Sequence, residues 1–323
     1  MQIINKIFRL QKVYIFFFSI VLFIIIFSTT YLKADAFRVS DIEISSSFDL
    51  NFKKNTVIDA GFHTSFSNLL SMITTSGDKN KIKNVSTKEL KSMIDSFTIS
   101  NEKFTNNVYF AKLETSFNKK KILNFLEKKN IFPSIPIKNK VLLIPILVDI
   151  ESNSVYLFDN IFYKRWNINK EKYQLLDYVL PTEDLEDLNK IQNILNSIDT
   201  HDFANLIKKY DLKDHIILII YKNKDEFKTL SKINLNDSLK INNKTYSQIN
   251  LNNEEDVEKI LKKLKNTYED QWKKNNEINT SIKLPLTLSI KSGEYKKIIA
   301  LENTLSNIDL VADFYISNFD NNN

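Results

Sequence analysis

The chain of 323 residues contains no cysteine, only three glycines and only five prolines. The lack of cysteine removes disulfides, thiol nucleophiles, thiolate zinc sites and the acylated cysteine of a lipoprotein in one step. A domain of this composition outside the cytoplasm must be held by its apolar core. Gly61, Gly77 and Gly293 stand too far apart to form a phosphate-cradling loop or a dinucleotide fingerprint, and there is no Gly-x-Ser-x-Gly elbow. Histidine is equally scarce, with His63, His201 and His215 the full set. Asp59 and His63 lie four apart on one helix face, and Asp199, His201 and Asp202 are close in sequence, but neither group has the spacing of a known metal site. Surface and capping roles explain them, and no metal, cofactor or catalytic residue is expected.

What the chain does have begins at its start. Lys6, Arg9 and Lys12 precede an apolar run from Val13 to Phe27, and Ala34-Asp35-Ala36 follows. This is the layout of a secretory signal peptide, with Ala34 and Ala36 as the small residues of a cleavage site and Phe37 as the mature N-terminus. Counted to Leu32, residues 13–32 make 20 residues, about enough to span a bilayer, so an uncleaved anchor is the alternative. Either way the bulk of the chain is expected in the periplasm or beyond, released or held at the inner membrane. The formal charge of +6 falls to +3 once Lys6, Arg9, Lys12, Lys33 and Asp35 are set aside. Lys119-Lys120-Lys121 and Lys262-Lys263 with Lys265 are interleaved with acids and read as solvated helix faces, so nucleic acid is not an expected partner.

Periodicity predicts an α+β protein: a signal peptide or anchor helix, then two small mixed strand-helix domains, residues 37–154 and residues 155–323. In the first, the pattern predicts a strand from Arg38 to Phe48 and an amphipathic helix from Val57 to Ile73, whose apolar face is Ile58, Phe62, Phe66, Leu69, Leu70 and Ile73. A short helix, a hairpin ending at Phe117, a helix from Lys119 and a strand of continuous apolar residues from Val141 follow. In the second, the aromatic stretch Phe158 to Trp166 leads to a strand near Leu175, a helix opened at Pro181-Thr182 and a helix from Thr200. A strand from His215, two short strands about Asn236-Asp237 and a long helix from Glu254 come next. The tail reads strand, helix, strand: Ile282 to Lys291, Tyr295 to Leu305 and Asp309 to Ile316.

The acids Glu183, Asp184, Glu186 and Asp187 could be read as a glycan hydrolase pair, but at a helix start they suit the dipole better. Tyr156, Phe158, Phe162, Tyr163 and Trp166 form the candidate binding group. Their faces could hold a sugar or a partner's apolar anchor, or pack the two domains together.

The segments Phe37-Arg-Val-Ser-Asp-Ile-Glu-Ile, Ala60-Gly-Phe-His-Thr-Ser-Phe-Ser-Asn-Leu-Leu, Phe117 to Leu126 and the apolar strand after Lys140 resemble, in order, the exported proteobacterial family called domain of unknown function 2066. Leu157-Phe-Asp-Asn-Ile-Phe-Tyr-Lys-Arg-Trp and Val179-Leu-Pro-Thr-Glu-Asp-Leu extend the likeness. The resemblance implies a bacterial envelope protein and no particular activity. The expected function is a non-enzymatic periplasmic binding or adaptor module for another envelope protein. An envelope hydrolase acting on glycan or peptide, or a small-ligand carrier, is the alternative.

Overall fold

The computed structural model describes residues 37–318 apart from 83, 225, 248, 252, 280, 281, 283, 290–294, 307, 309, 310 and 312. The leader, with Ala34 and Ala36, lies outside the described residues. Within them the protein is mixed α and β, with eight α-helices and two sheets, and no helix is long and apolar enough to cross a membrane.

β1 (Arg38–Ser47), β2 (Ile94–Thr105) and β3 (Val108–Phe117) form an antiparallel sheet in the order β1-β3-β2. The scarcity of glycine shapes its turns. Among the described residues, nine of the ten non-glycine residues with positive φ are Asn or Asp, the exception being Lys224. These are the residues that tolerate the left-handed region best after glycine. Asn106 (φ 51°) with Asn107 (φ 56°), and Asn236 (φ 53°) with Asp237 (φ 57°), make the two-residue hairpin loops that strand twist favours.

Helix α1 (Lys54–Ile73) lies on this sheet, burying Val57, Ile58, Phe62, Phe66, Leu69, Leu70 and Ile73. These residues recur every three or four positions, as a single buried helical stripe requires. Short α2 (Thr87–Ser92) is capped by Ser86, and α3 (Lys119–Glu127) by Asn118, each side chain accepting from a backbone N–H three residues on. Gly61 lets α1 approach: a Cβ there would stand 2.7 Å from Ile44 Cγ2 and 2.7 Å from Leu113 Cδ2.

The second sheet is built on β4 (Asn139–Asp149) and β7 (His215–Asn223), which pair in parallel. Antiparallel β8 (Glu226–Leu235) and β9 (Ser238–Ser247) extend it on the β7 side. On the other edge of β4 sit short β5 (Ser154–Tyr156), antiparallel, and β6 (Leu176–Val179), parallel. Val141, Leu143 and Leu147 face a core shared with α7 (Glu254–Asn275). Leu142, Ile144, Ile146 and Val148 face a second core with Ile191 of α5 (Leu185–Asn193) and Leu206 of α6 (Ala204–Lys208). The continuous apolar run therefore means what it usually means, burial on both faces.

Three expectations need correcting. The strand from Val141, grouped with the first domain, belongs to the middle of the second sheet, because a strand buried on both faces needs two helical layers and those are supplied only by later residues. The strands about Asn236-Asp237 are not short but ten residues each. In the tail, α8 (Tyr295–Ser306) forms as expected, but residues 282, 284–289, 311 and 313–318 belong to no strand.

Replacing Gly61 by Ala gains about 1 kcal/mol of helix propensity but overpacks a closed seam, at a cost of about 1–3 kcal/mol. The expected net result is a loss of about 1 kcal/mol in urea unfolding, with a larger loss for Gly61→Val. An unchanged midpoint for both would show that helix and sheet can separate freely.

Candidate functional site

The five aromatic residues converge on a short helix, α4 (Ile161–Arg165), but not on one surface. Phe162 and Trp166 are fully buried in the α7-side core. The Trp166 indole stacks on Tyr268 at 6.1 Å and meets the Tyr178 ring edge-on at 5.4 Å. Phe158 and Tyr163 pack instead toward the α5 and α6 core, their rings 5.6 Å apart, and the Tyr163 hydroxyl donates to Pro181 O at 2.7 Å. Tyr156 is half-buried against the α7-side core. The sheet edge thus divides the group.

A residue that sequence reasoning passed over organises this region. Asn160 is 3% exposed. Its Oδ1 accepts from Tyr163 N at 2.9 Å and caps α4. Its Nδ2 reaches Pro145 O, Tyr156 O and Leu157 O at 3.1, 3.1 and 2.8 Å. β6 pairs only with residues 139–142 of β4 and β5 only with residues 147–149, so Asn160 fills the gap between them. Pro145 is tolerated in an interior strand because its missing N–H faces that gap. An Asn ahead of a short helix, together with a proline inside an apolar strand, was the available signal.

Two clefts flank these elements. The first, about 910 Å³, runs between β5 and the start of α5 and is lined by Tyr156, Phe158, Asp159, Lys164, Glu183 and Asp184 among others. Of its acids, Asp159 pairs with Lys164 and Asp184 serves the helix. Asp184 caps α5 by accepting from Glu186 N and Asp187 N, and Lys209 bonds Asp184 at 3.1 Å and Asp187 at 2.7 Å. The Lys209 ammonium holds the Asp184 carboxyl below its ordinary range, and Lys190 does the same for Glu186.

The second cleft, about 770 Å³, lies between α7, the end of α1 and residues 169–174. Burial pushes the Glu269 carboxyl up and lowers the ammonium groups of Lys79, Lys265 and Lys273. Displaced carboxylates and amines in a cleft are a mark of catalysis, but here the partners are structural. One oxygen of Glu269 accepts from Leu175 N at 3.0 Å and Leu176 N at 2.7 Å. Lys273 donates to Ser71 O at 2.6 Å and Lys265 to Asn169 O at 2.9 Å. The groups fasten α7 to its neighbours.

The histidines make separate contacts: His63 with Thr87 Oγ1 at 3.0 Å, His215 with Lys213 O at 3.0 Å, and His201 edge-on to Phe203. Asp59 pairs with Lys91 at 2.6 Å instead of joining His63. Among the described residues no group of three His, Asp or Glu side chains is placed to hold a metal ion.

A surface that the sequence reading did not single out lies at one end of the first sheet, where β1 ends and the β2-β3 hairpin turns. Phe48 packs edge-on against Phe52 and against Phe104, each at 5.0 Å. Phe104 and Phe52 rest on buried Tyr109 at 5.1 and 5.2 Å. Phe48 is 48% exposed, Phe104 56% and Val108 41%, and Leu50 is fully exposed beside them. Lys54, which bonds Glu102 at 2.6 Å, sits over the Tyr109 ring. The only signal in the sequence was apolar residues at strand ends where turn residues are expected.

Trp166→Ala should cost about 3–5 kcal/mol in chemical denaturation, since a fully buried indole leaves a cavity; unchanged stability would make Trp166 a surface group. Glu269→Ala should cost about 2–4 kcal/mol by orphaning two buried N–H groups, whereas Glu269→Gln keeps an acceptor for both and should cost far less. Folding also raises the Glu269 pKa above its ordinary 4.5. Its contribution to stability is therefore fullest below pH 4.5 and is lost as pH rises through the raised value. The difference in unfolding free energy between wild type and E269Q should fall over that window, and a flat difference would contradict the burial.

No protein-family model matches the chain, and no curated protein matches it, so its function has to be read from these surfaces themselves.

Proposed function

We propose that the protein is a non-enzymatic binding or adaptor module of the bacterial cell envelope, and that it docks another envelope protein through the aromatic tip of its first sheet. The observation that carries this reading is the exposed cluster of Phe48, Leu50, Phe104 and Val108, held on a buried Tyr109 base. Exposed aromatic anchors whose rotamers are already fixed by neighbouring rings lose little entropy on binding, which is the character of an interface hot spot. The charged groups of the two clefts argue the same way by their engagement. In the first cleft Asp184 caps α5, and in the second Glu269 clamps the backbone N–H groups of Leu175 and Leu176. Export is supported by the leader pattern and by the resemblance to an exported family, with Phe37 as the mature N-terminus.

In-cell crosslinking of the tagged protein, read by mass spectrometry, tests the proposal. Leu50→Asp touches no core and should leave thermal unfolding unchanged while lowering the yield of a specific envelope neighbour by about tenfold or more. Phe48→Ser with Phe104→Ser should do the same at some cost in stability. An identical neighbour set and yield for Leu50→Asp would sink the docking reading. Loss of vesicle binding in place of a protein neighbour would show that the tip meets lipid.

A further inference from the structure

The second cleft gathers ammonium groups that the fold only partly uses. Along α7 it is walled by Lys262, Lys265, Glu269 and Lys273, whose spacing of three or four residues sets them on one helix face. The end of α1 and the segment after it add Ser71 and Lys79. Two cations meet at that serine: Lys273 Nζ donates to Ser71 O at 2.6 Å and Lys79 Nζ to Ser71 Oγ at 2.5 Å. Lys273 is only 6% exposed. Burial lowers both ammonium groups, and a neighbouring lysine lowers each further, Lys79 acting on Lys273 and Lys262 on Lys79.

The acids of the cleft do not neutralise these groups by contact. Glu269 is taken up by the Leu175 and Leu176 N–H groups, Asp270 by the N–H and hydroxyl of Ser76, and Glu258 lies 3.6 Å from Arg165. Two further lysines of the cleft, Lys172 and Lys259, already pair with Asp41 and Asp256. Among the described residues Lys79, Lys262, Lys265 and Lys273 enter no ion pair, and only Glu171 and Glu255 remain to balance them. An ammonium has three donors, yet Lys79, Lys265 and Lys273 each spend one on a neutral oxygen, that of Lys265 going to Asn169 O. The cleft therefore holds unspent N–H donors and an excess of positive charge.

We propose that this cleft is a binding site for a small ligand bearing a phosphate-like dianion, held by Lys79 and Lys273 at the Ser71 end and by Lys262 and Lys265 along α7. A dianion with several oxygens can engage several ammonium groups at once, which a single carboxylate does less well. The cleft volume of about 770 Å³ is in the range of small-molecule sites. The site goes beyond the docking of a protein at the aromatic tip and does not depend on it.

Titration calorimetry of the full chain with inorganic pyrophosphate at low salt tests the site. Expected is saturable binding at one site per chain, with a dissociation constant below about 1 mM. Lys79→Met and Lys262→Met, both at exposed positions, should each weaken it about tenfold without moving the thermal midpoint. Glu171→Gln should tighten it, because that carboxylate acts on Lys79, Lys265 and Lys273 and opposes an incoming anion. Lys128→Met with Lys240→Met, on other elements, should change nothing. No saturation by about 10 mM, unchanged affinity in both Lys79→Met and Lys262→Met, or equal weakening by the Lys128 and Lys240 pair would overturn the site. Flotation with phosphatidylcholine vesicles, with and without phosphatidic acid, separates the sources of the phosphate. Binding to the phosphatidic acid vesicles that Lys79→Met abolishes assigns a lipid headgroup, and pyrophosphate binding without it assigns a soluble phosphate ester.

Discussion

Eight successive residues of β4, from Val141 to Val148, are buried, and because strand side chains alternate between faces, this one segment has to be covered from two sides at once. Each fully buried aliphatic side chain contributes about 1.5–3 kcal/mol only while that cover is in place. The demand explains why the rest of the second sheet exists in its order. α4 and α7 close one face, α5 and α6 the other, and β7 supplies a parallel neighbour with the same two-sided character. It also explains why a buried polar side chain sits beside the strand. Pro145 breaks the ladder at the one place where β5 and β6 do not meet, and Asn160 satisfies the carbonyl left there while starting the helix that carries Phe162 and Trp166.

The C-terminal half of α7 transmits that order to the first sheet. Trp272 Nε1 donates to Ile137 O at 2.8 Å, Lys273 reaches Ser71 O at 2.6 Å, and Asp270 accepts from Ser76 N at 2.7 Å. Ser134 N and Ile278 N then bond Ile73 O and Pro133 O at 2.7 and 2.8 Å. Most of these bonds join a side chain of α7 to backbone that has no helix or strand partner at that point, so the seam satisfies groups that would otherwise be stranded. Burial of Glu269 and Lys273 follows from this duty. That burial raises the Glu269 pKa and lowers that of Lys273, while the backbone hydrogen bonds to Glu269 act the other way.

Local pattern made much of this legible. The buried stripe of α1, the extent of α7 from Glu254 to Asn275 and the apolar character of β4 and β7 follow from periodicity alone, because each is long enough for its period to stand out. The affiliation of β4 was not legible: the apolar run shows that both faces are buried but not which later helices bury them. The five aromatic residues were adjacent in sequence, yet α4 turns at a sheet edge and sends Phe162 and Trp166 to one core and Phe158 to the other. The aromatic tip escaped notice because Phe48 and Phe104 are brought together by strand pairing across a gap of more than fifty positions, which no local window spans.

Exposed apolar groups carry different meanings in the two places where they concentrate. At the tip, Phe48, Phe52 and Phe104 meet one another edge to face, and Phe52 and Phe104 rest on Tyr109, so the rings hold one another in place before any partner arrives. In residues 282–289 the leucines touch no core, and α8 after them has no buried residue. An isolated strand or a twelve-residue helix is marginal in water, so this part of the chain draws stability from whatever it packs on. The tip is thus an exposed apolar surface whose rings are already in mutual contact. Ile282, Leu284, Leu286 and Leu288, by contrast, are exposed and lie in no strand.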